Sequence, residues 1–176
     1  MADVSAKLDA MAALIEEGLY FIINRPRQYG KTTILYLLWR VLKEREDYAP
    51  IRISFEGIGS DSYRSEKEFI EAFYQQLTNY ALATGNKELE DMLKKHEGAA
   101  DFIRLGSFIT EISRVNRKVV LMIDEVDKSS NNQLFLDFMT MNVSLLTTWP
   151  ILRIVSVVNR YNSSLPVTQT TSATIS

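Results

Sequence analysis

Two runs of five apolar residues, Leu19-Tyr20-Phe21-Ile22-Ile23 and Val119-Val120-Leu121-Met122-Ile123, constrain the fold of this chain more than any other feature. Each is short, rich in β-branched or aromatic residues, and unbroken by a polar position. A strand with no polar alternate residues has no face to offer water. Both runs therefore predict strands buried on both sides, as in a parallel sheet packed between helices. The segments around them carry helical spacing. Leu8, Met11, Ala12 and Ile15 recur at that spacing and stop at Gly18. Asn24 to Gly30 reads as loop, and Lys31 to Lys43 as a helix with Leu35, Leu38 and Leu42 along one side. Ile51 to Phe55 alternates as a second strand, broken by Gly57 and Gly59. Ser65-Glu66-Lys67-Glu68 has capping-box spacing and opens a helix through Phe69, Phe73 and Leu77. Further helices are expected over Lys87 to His96, Ala99 to Asn116 (Phe102, Leu105, Ile109 and Ile112 inward) and Leu134 to Leu146. A fourth strand is expected over Leu152 to Val158. Strands alternating with helices predict an α/β fold with a parallel sheet.

Composition sets the outer limits. At 176 residues the chain is long enough for one domain with a sizeable core. Its 46% apolar and 24% charged residues are ordinary for a soluble protein. A net charge of −2 gives no global attraction to nucleic acid or anionic membrane. The absence of cysteine excludes a disulfide framework, a thiolate metal site and a cysteine nucleophile. The single histidine, His96, cannot build a histidine metal site and reads as a polar helix-end residue. Met1 to Leu14, with Asp3, Lys7 and Asp9, lacks the apolar core of a signal peptide, and no apolar run approaches the length of about 20 a membrane helix needs. The expectation is a cytoplasmic protein with no membrane partner.

Between the first strand and the helix after it lies Arg25-Pro26-Arg27-Gln28-Tyr29-Gly30-Lys31-Thr32-Thr33. Gly-Lys-Thr between a buried strand and a helix is the context of a phosphate-binding loop. A triphosphate packs several negative charges into a small volume. Backbone N–H groups of a tight loop and a helix N-terminus meet that charge. Gly30 lets the backbone approach, Lys31 supplies a point charge between the β- and γ-phosphates, and the Thr32 hydroxyl is a ligand for Mg²⁺. The first position of the usual motif is glycine; here it is Arg25. Pro26 fixes one φ, and Arg25 and Arg27 add positive charge. A chance Gly-Lys-Thr at a helix start is the plainer alternative. What weighs against it is the second apolar run, which ends in Asp124-Glu125. Ligands of open α/β sheets bind at the carboxyl ends of the strands. There Asp124 is placed to hold Mg²⁺ opposite Thr32, and Glu125 to polarise the attacking water. Taken alone, the two acids fit a solvated strand-to-loop boundary equally well. Asp127 and Lys128 read as surface or supporting residues.

Asn24 to Thr33 resembles the phosphate loop of the bacterial AAA-ATPase-like family, which reads Arg-Pro-Arg, two variable residues, then Gly-Lys-Ser/Thr. Ile53-Ser54-Phe55-Glu56-Gly57-Ile58-Gly59 and Val120 to Asn132 look like further segments of it, and the likeness runs from about residue 3 to about residue 137. In that family arginine stands at the first loop position, as Arg25 does here. The resemblance implies a P-loop NTPase-like three-layer sandwich with sheet order 5-1-4-3-2. It also implies ATP and Mg²⁺ as ligands. Lys31 and Glu125 would be catalytic, Thr32 and Asp124 would hold the metal, and Arg25 to Thr33 would cradle the nucleotide. It further implies a protein partner or a further C-terminal domain.

The chain departs from the family near Met139. Residues 138–176 hold no acid and no glycine, and 13 of the 39 are Ser or Thr. A solvated tail and a frameshifted end fit this composition equally. Asn159, after the fourth strand, is a candidate polar sensor of the γ-phosphate. The expectation is an ATPase core over residues 1–160 with strand 4 uncertain and strand 5 absent, and a disordered tail over 161–176. An unfilled central slot would leave buried ladder groups unpaired at about 1–3 kcal/mol each, against a total stability of about 5–15 kcal/mol. Poor folding or slow hydrolysis is the consequence. The alternatives to an ATP-hydrolysing enzyme are an ATP-binding regulatory module and a non-functional fragment. Nucleic-acid binding draws weak support from Arg114, Arg117 and Lys118. Phe69, Phe73 and Phe102 fall at core spacing rather than on a stacking platform.

Overall fold

The computed structural model describes residues 2–18, 20–25, 30–56, 58–98, 101–112, 114, 117–125, 133–134, 137–138, 152–159 and 172–175. In chain order the elements are α1 (Ala2–Glu16), β1 (Tyr20–Arg25), α2 (Lys31–Lys43), β2 (Tyr48–Ser54), a short 3₁₀ turn (Ser60–Tyr63), α3 (Glu66–Thr84), α4 (Lys87–Lys95), α5 (Phe102–Ile112), β3 (Lys118–Asp124), β4 (Leu152–Asn159) and β5 (Ser172–Ile175). The five strands form one sheet in the order β2-β3-β4-β1-β5, and every pairing is parallel.

β3 shows why the sheet is buried on both sides. Val120 and Met122 point into one core, shared with Met11, Ile15, Leu35, Leu38 and Leu42 of α1 and α2. Val119, Leu121 and Ile123 point into the other, shared with Phe69, Phe73, Leu77, Leu105 and Ile109 of α3 and α5. The unbroken apolar run is thus two alternating faces, each meeting a different helical layer. The second core contains a cluster of phenylalanine rings among its aliphatic side chains. Phe55 meets Phe69 and Phe73 edge-on at 6.2 and 6.4 Å, and Phe138 lies 4.9 Å from Phe73.

The helix signals work as local chemistry requires. At the start of α3 the Ser65 Oγ accepts from the Glu68 N–H at 3.3 Å and donates to the Glu68 carboxylate at 2.9 Å. Gly85, with φ 65°, closes that helix in the left-handed conformation.

Several boundaries differ from expectation. Asn24 and Arg25 continue β1 rather than opening the loop. β2 begins three residues early and includes Pro50, which an edge strand tolerates because one side of its ladder is unpaired. α5 is shorter at both ends than the helix expected over Ala99 to Asn116. Of the helix expected over Leu134 to Leu146, residues 133–134 and 137–138 are helical and the rest lie outside the described residues.

The largest correction concerns the sheet. The fourth slot is filled: β4 lies between β1 and β3, with Val155 in register with both Phe21 and Met122. A fifth strand is present, where none was expected: Ser172–Ile175 pairs with β1 inside the segment expected as tail. The reason is visible in residue type. β4 is mostly Val, Ile and Leu, and β5 carries Thr174 and Ile175, side chains suited to a pleated ladder. A charge-poor composition is compatible with the fold here, because a central strand needs no charge.

Candidate functional site

All strands are parallel, so their carboxyl ends share one edge of the sheet. Arg25 ends β1 in register with Asn159 of β4, and Asp124 ends β3 in register with Ser54 of β2. α2 starts beside this edge at Lys31. Gly30, its N-cap, has φ 67° and ψ 31° and, being glycine, supplies no side-chain cap of its own. An added Cβ would meet only the Thr33 Cβ, at 3.9 Å. Inside the chain, the demand for glycine is therefore conformational: L-residues resist this φ. The first turn of α2 also lacks an acid. Its N–H groups and dipole are left for an anion.

Asp124 is 4% exposed, the one buried charged side chain among the described residues. Its Oδ1 accepts from the Glu125 N–H at 3.0 Å, and its backbone oxygen accepts from the Phe55 N–H at 2.9 Å. No cation among the described residues pairs with it. A buried carboxylate without a counter-charge costs free energy, and a metal ion is the usual compensation at such a strand end. Glu125 follows with φ 56°, the only positive φ outside glycine among the described residues. Strain of this kind costs on the order of 1–3 kcal/mol and gathers at functional positions. The turn lifts Glu125 away from the strand axis toward the cavity it shares with Asp124.

That cavity holds about 520 Å³. Thr32, Asp124 and Glu125 all line it, along with Tyr36 and Trp39 of α2, Arg52 and Ser54 of β2, and Gln76 and Asn79 of α3. The structure thus brings Thr32 together with the two acids, 92 and 93 residues on in the chain. A threonine hydroxyl and a carboxylate are hard oxygen donors, the set that suits Mg²⁺ completed by phosphate oxygens and water. No group of three or more His, Cys, Asp or Glu able to hold a metal occurs among the described residues. A metal shared with a nucleotide needs no such protein cage.

The other expected residues fall into three groups. Arg25, Lys31 and Asn159 have backbones at the carboxyl edge or beside it. Thr33 is exposed in the first turn of α2 but does not line the cavity. Pro26, Arg27, Gln28 and Tyr29 lie outside the described residues, as do Asp127 and Lys128. The basic cluster sits elsewhere: Lys118 begins β3, at the far edge of the sheet, where it pairs with Asp47 at 3.8 Å, while Arg117 pairs with Glu88 at 3.4 Å. Sequence reasoning missed Tyr36, Trp39, Arg52, Gln76 and Asn79. Only Tyr36 had a legible signal, its i,i+4 spacing from Thr32 on one helix face.

The Walker-type ATPase of Pyrococcus abyssi has a similar structure, with a TM-score of 0.55 at 15% identity, over 86% of this chain and 43% of that one. The fold is that of the P-loop ATPases. Two ORC structures are similar as well. The Aeropyrum pernix ORC1 protein in complex with DNA matches with a TM-score of 0.52 at 16% identity, over 89% of this chain and 39% of that one. Drosophila ORC bound to DNA matches at 0.51 and 12% identity, over 99% of this chain and 89% of that one. The chain spans less than half the length of the two archaeal proteins. No protein-family model matches it, and no curated protein does. None of the described helices is long and apolar enough to cross a membrane.

Proposed function

We propose that this chain binds ATP with Mg²⁺ at the carboxyl edge of its sheet and hydrolyses it, as the P-loop ATPase core of a larger cytoplasmic system. The observation that carries the proposal is the meeting of Thr32, Asp124 and Glu125 in one cavity beside the glycine-capped start of α2. Arg25 to Thr33 wrap the phosphates, with Lys31 between the β- and γ-phosphates. The Thr32 hydroxyl and the Asp124 carboxylate hold Mg²⁺, which when bound neutralises charge on the phosphate oxygens. Glu125 orients a water for in-line attack on the γ-phosphorus and takes its proton. The bond to the β–γ bridging oxygen breaks, and ADP and phosphate leave. Asn159, at the end of the neighbouring strand, hydrogen-bonds the terminal phosphate.

The resemblance noted at Asn24 to Thr33 supports the assignment of Arg25, and the P-loop ATPase fold supports the nucleotide. A protein partner or further domain that uses the hydrolysis belongs to the same proposal. Calorimetric titration with MgATP is the direct test. Wild type is expected to bind, and Lys31→Ala to bind at least tenfold more weakly, since a charge-assisted contact to phosphate is lost. Glu125→Gln is expected to keep binding but lose hydrolysis by about 10²-fold or more. If wild type and Lys31→Ala bind MgATP equally, the site is elsewhere. If Glu125→Gln turns over normally, the chain does not use Glu125 as the base.

A further inference from the structure

We infer that the outer edge of β2, at Arg52 to Ser54, is a docking site for an extended, basic segment of a protein partner, which adds there as a further strand. β2 ends the sheet, so one side of its ladder has no strand beside it. Two hydrogen bonds fix which residues face that side. The Asp47 carbonyl accepts from the Lys118 N–H at 2.8 Å, and the Phe55 N–H donates to the Asp124 carbonyl at 2.9 Å. In a parallel pair, alternate residues turn both main-chain groups to the neighbouring strand. The odd positions from Asp47 to Phe55 therefore serve β3, and Tyr48, Pro50, Arg52 and Ser54 face outward.

The outward positions differ in what they leave open. The Tyr48 N–H donates to the Arg45 carbonyl at 3.3 Å. Pro50 has no N–H, and its carbonyl accepts from the Tyr80 hydroxyl at 2.6 Å. Trp39 Nε1 in turn donates to that hydroxyl from α2 at 3.1 Å. α3 thus shuts the edge at Pro50, as natural edge strands are commonly covered. Beyond it, the main-chain groups of Arg52 and Ser54 enter no turn, loop or cap hydrogen bond among the described residues. Both residues line the cavity of about 520 Å³, with Gln76 and Asn79 of α3 on its wall. The open edge is therefore short and lies in a slot between strand and helix. Its outward N–H and C=O groups are the pattern with which a peptide strand pairs, at a spacing of about 4.8 Å.

Charge selects the kind of segment. Among the described residues, the cavity is lined by the carboxylates of Glu56, Asp124 and Glu125 against the one cation Arg52. The Arg52 guanidinium is turned to Tyr36, 5.6 Å from the ring centroid. Side chains of an added strand alternate, so every second one meets the same wall. Lys or Arg at those positions meets the acids, and Asp or Glu there is repelled. Glu56 is exposed just past the end of β2 and has no part in the proposed ATP chemistry. Docking at this edge does not require the nucleotide assignment.

The test is an amide-resolved NMR titration of the full chain, without nucleotide, using two blocked peptides: acetyl-Lys-Val-Lys-Val-Lys-amide and its counterpart with glutamate in place of lysine. The lysine peptide is expected to bind about tenfold or more tightly than the glutamate peptide. It should shift the N–H resonances of Arg52 and Ser54 more than those of Ile51 and Ile53, which are turned to β3. Arg52→Pro removes one outward N–H and leaves the ladder with β3 intact, as Pro50 does. It is expected to weaken the lysine peptide about tenfold, whereas Arg52→Ala, which keeps the N–H, weakens it by less than about twofold. Glu56→Gln is expected to narrow the preference for lysine over glutamate by about twofold. No binding of the lysine peptide, or shifts centred away from Arg52 and Ser54, overturns the docking site. A cooperatively melting Arg52→Pro variant that binds as wild type does overturns strand addition. Equal binding of the two peptides, or an unchanged preference in Glu56→Gln, overturns the basic partner. Where Arg52→Pro fails to melt cooperatively, the wild-type shifts at Arg52 and Ser54 decide.

Discussion

Asp124 concentrates the tension between stability and function at the scale of a single residue. It is buried, it accepts one backbone N–H, and no described cation offsets its charge. Such a carboxylate costs more to bury than a neutral amide of the same shape. Asp124→Asn keeps the oxygen that accepts the Glu125 N–H and removes the charge. The variant is expected to gain about 1 kcal/mol in denaturant unfolding while losing Mg²⁺-dependence of ATP binding. A loss of stability on this substitution would show that Asp124 serves the fold and not a ligand. Glu125 and Gly30 make the same point through the backbone. Both hold a positive φ, at 56° and 67°, but only glycine does so without strain. A strained residue directly after the buried carboxylate is held there by packing around it.

At the scale of elements, the contacts between helices are polar clips laid over apolar seams. α4 and α5 meet at Glu111, whose carboxylate lies 2.8 Å from His96 Nε2 and 3.1 Å from Lys95 Nζ. The His96 hydrogen bond first, and the Lys95 hydrogen bond second, hold the Glu111 carboxyl below its ordinary 4.5. A depressed carboxyl pKa adds stability above the unfolded value, and that stability is lost as pH falls through the folded one. The window is thus below pH 4.5. Glu111→Gln is expected to flatten the pH dependence of the melting temperature in that window and to leave it unchanged near neutrality in slope. An identical acid slope in both proteins would remove Glu111 from the account. His96, the lone histidine, is therefore the end of a helix and one half of a clip, close to its sequence reading as a polar helix-end residue.

For the whole molecule, the decisive element is β4, since it joins β1 with its loop to β3 with its acids. Every ladder contact between the two halves of the site passes through it. Val155 is in register with strands on both sides. Proline there removes a ladder N–H from a central strand and leaves a buried carbonyl unpaired, which alone costs about 1–3 kcal/mol. Val155→Pro is expected to abolish a cooperative melt and MgATP binding together. A sharp melt that survives this substitution would mean the two halves are held by the helices alone. With β4 in place, the basis for expecting poor folding is removed, and the intact chain is expected to melt cooperatively by calorimetry.

The sequence by itself determined the α/β class, the buried strands and most helix starts, and it singled out the candidate phosphate-loop residues and the acidic pair. These are local facts. Five apolar residues in a row, a capping box, or Gly-Lys-Thr before Leu35 and Leu38 carry their physics within a few positions. Tertiary structure alone decided that Leu152–Asn159 enters the centre of the sheet and that Ser172–Ile175 adds a strand beside Tyr20–Ile23. It alone decided that Arg52 and Tyr36 face the same cavity as Asp124. Strand order depends on which ladder each segment finds, and a cavity on which side chains from distant elements converge. Neither is written in the spacing of neighbouring residues, because the energy that selects them comes from burial against partners far along the chain.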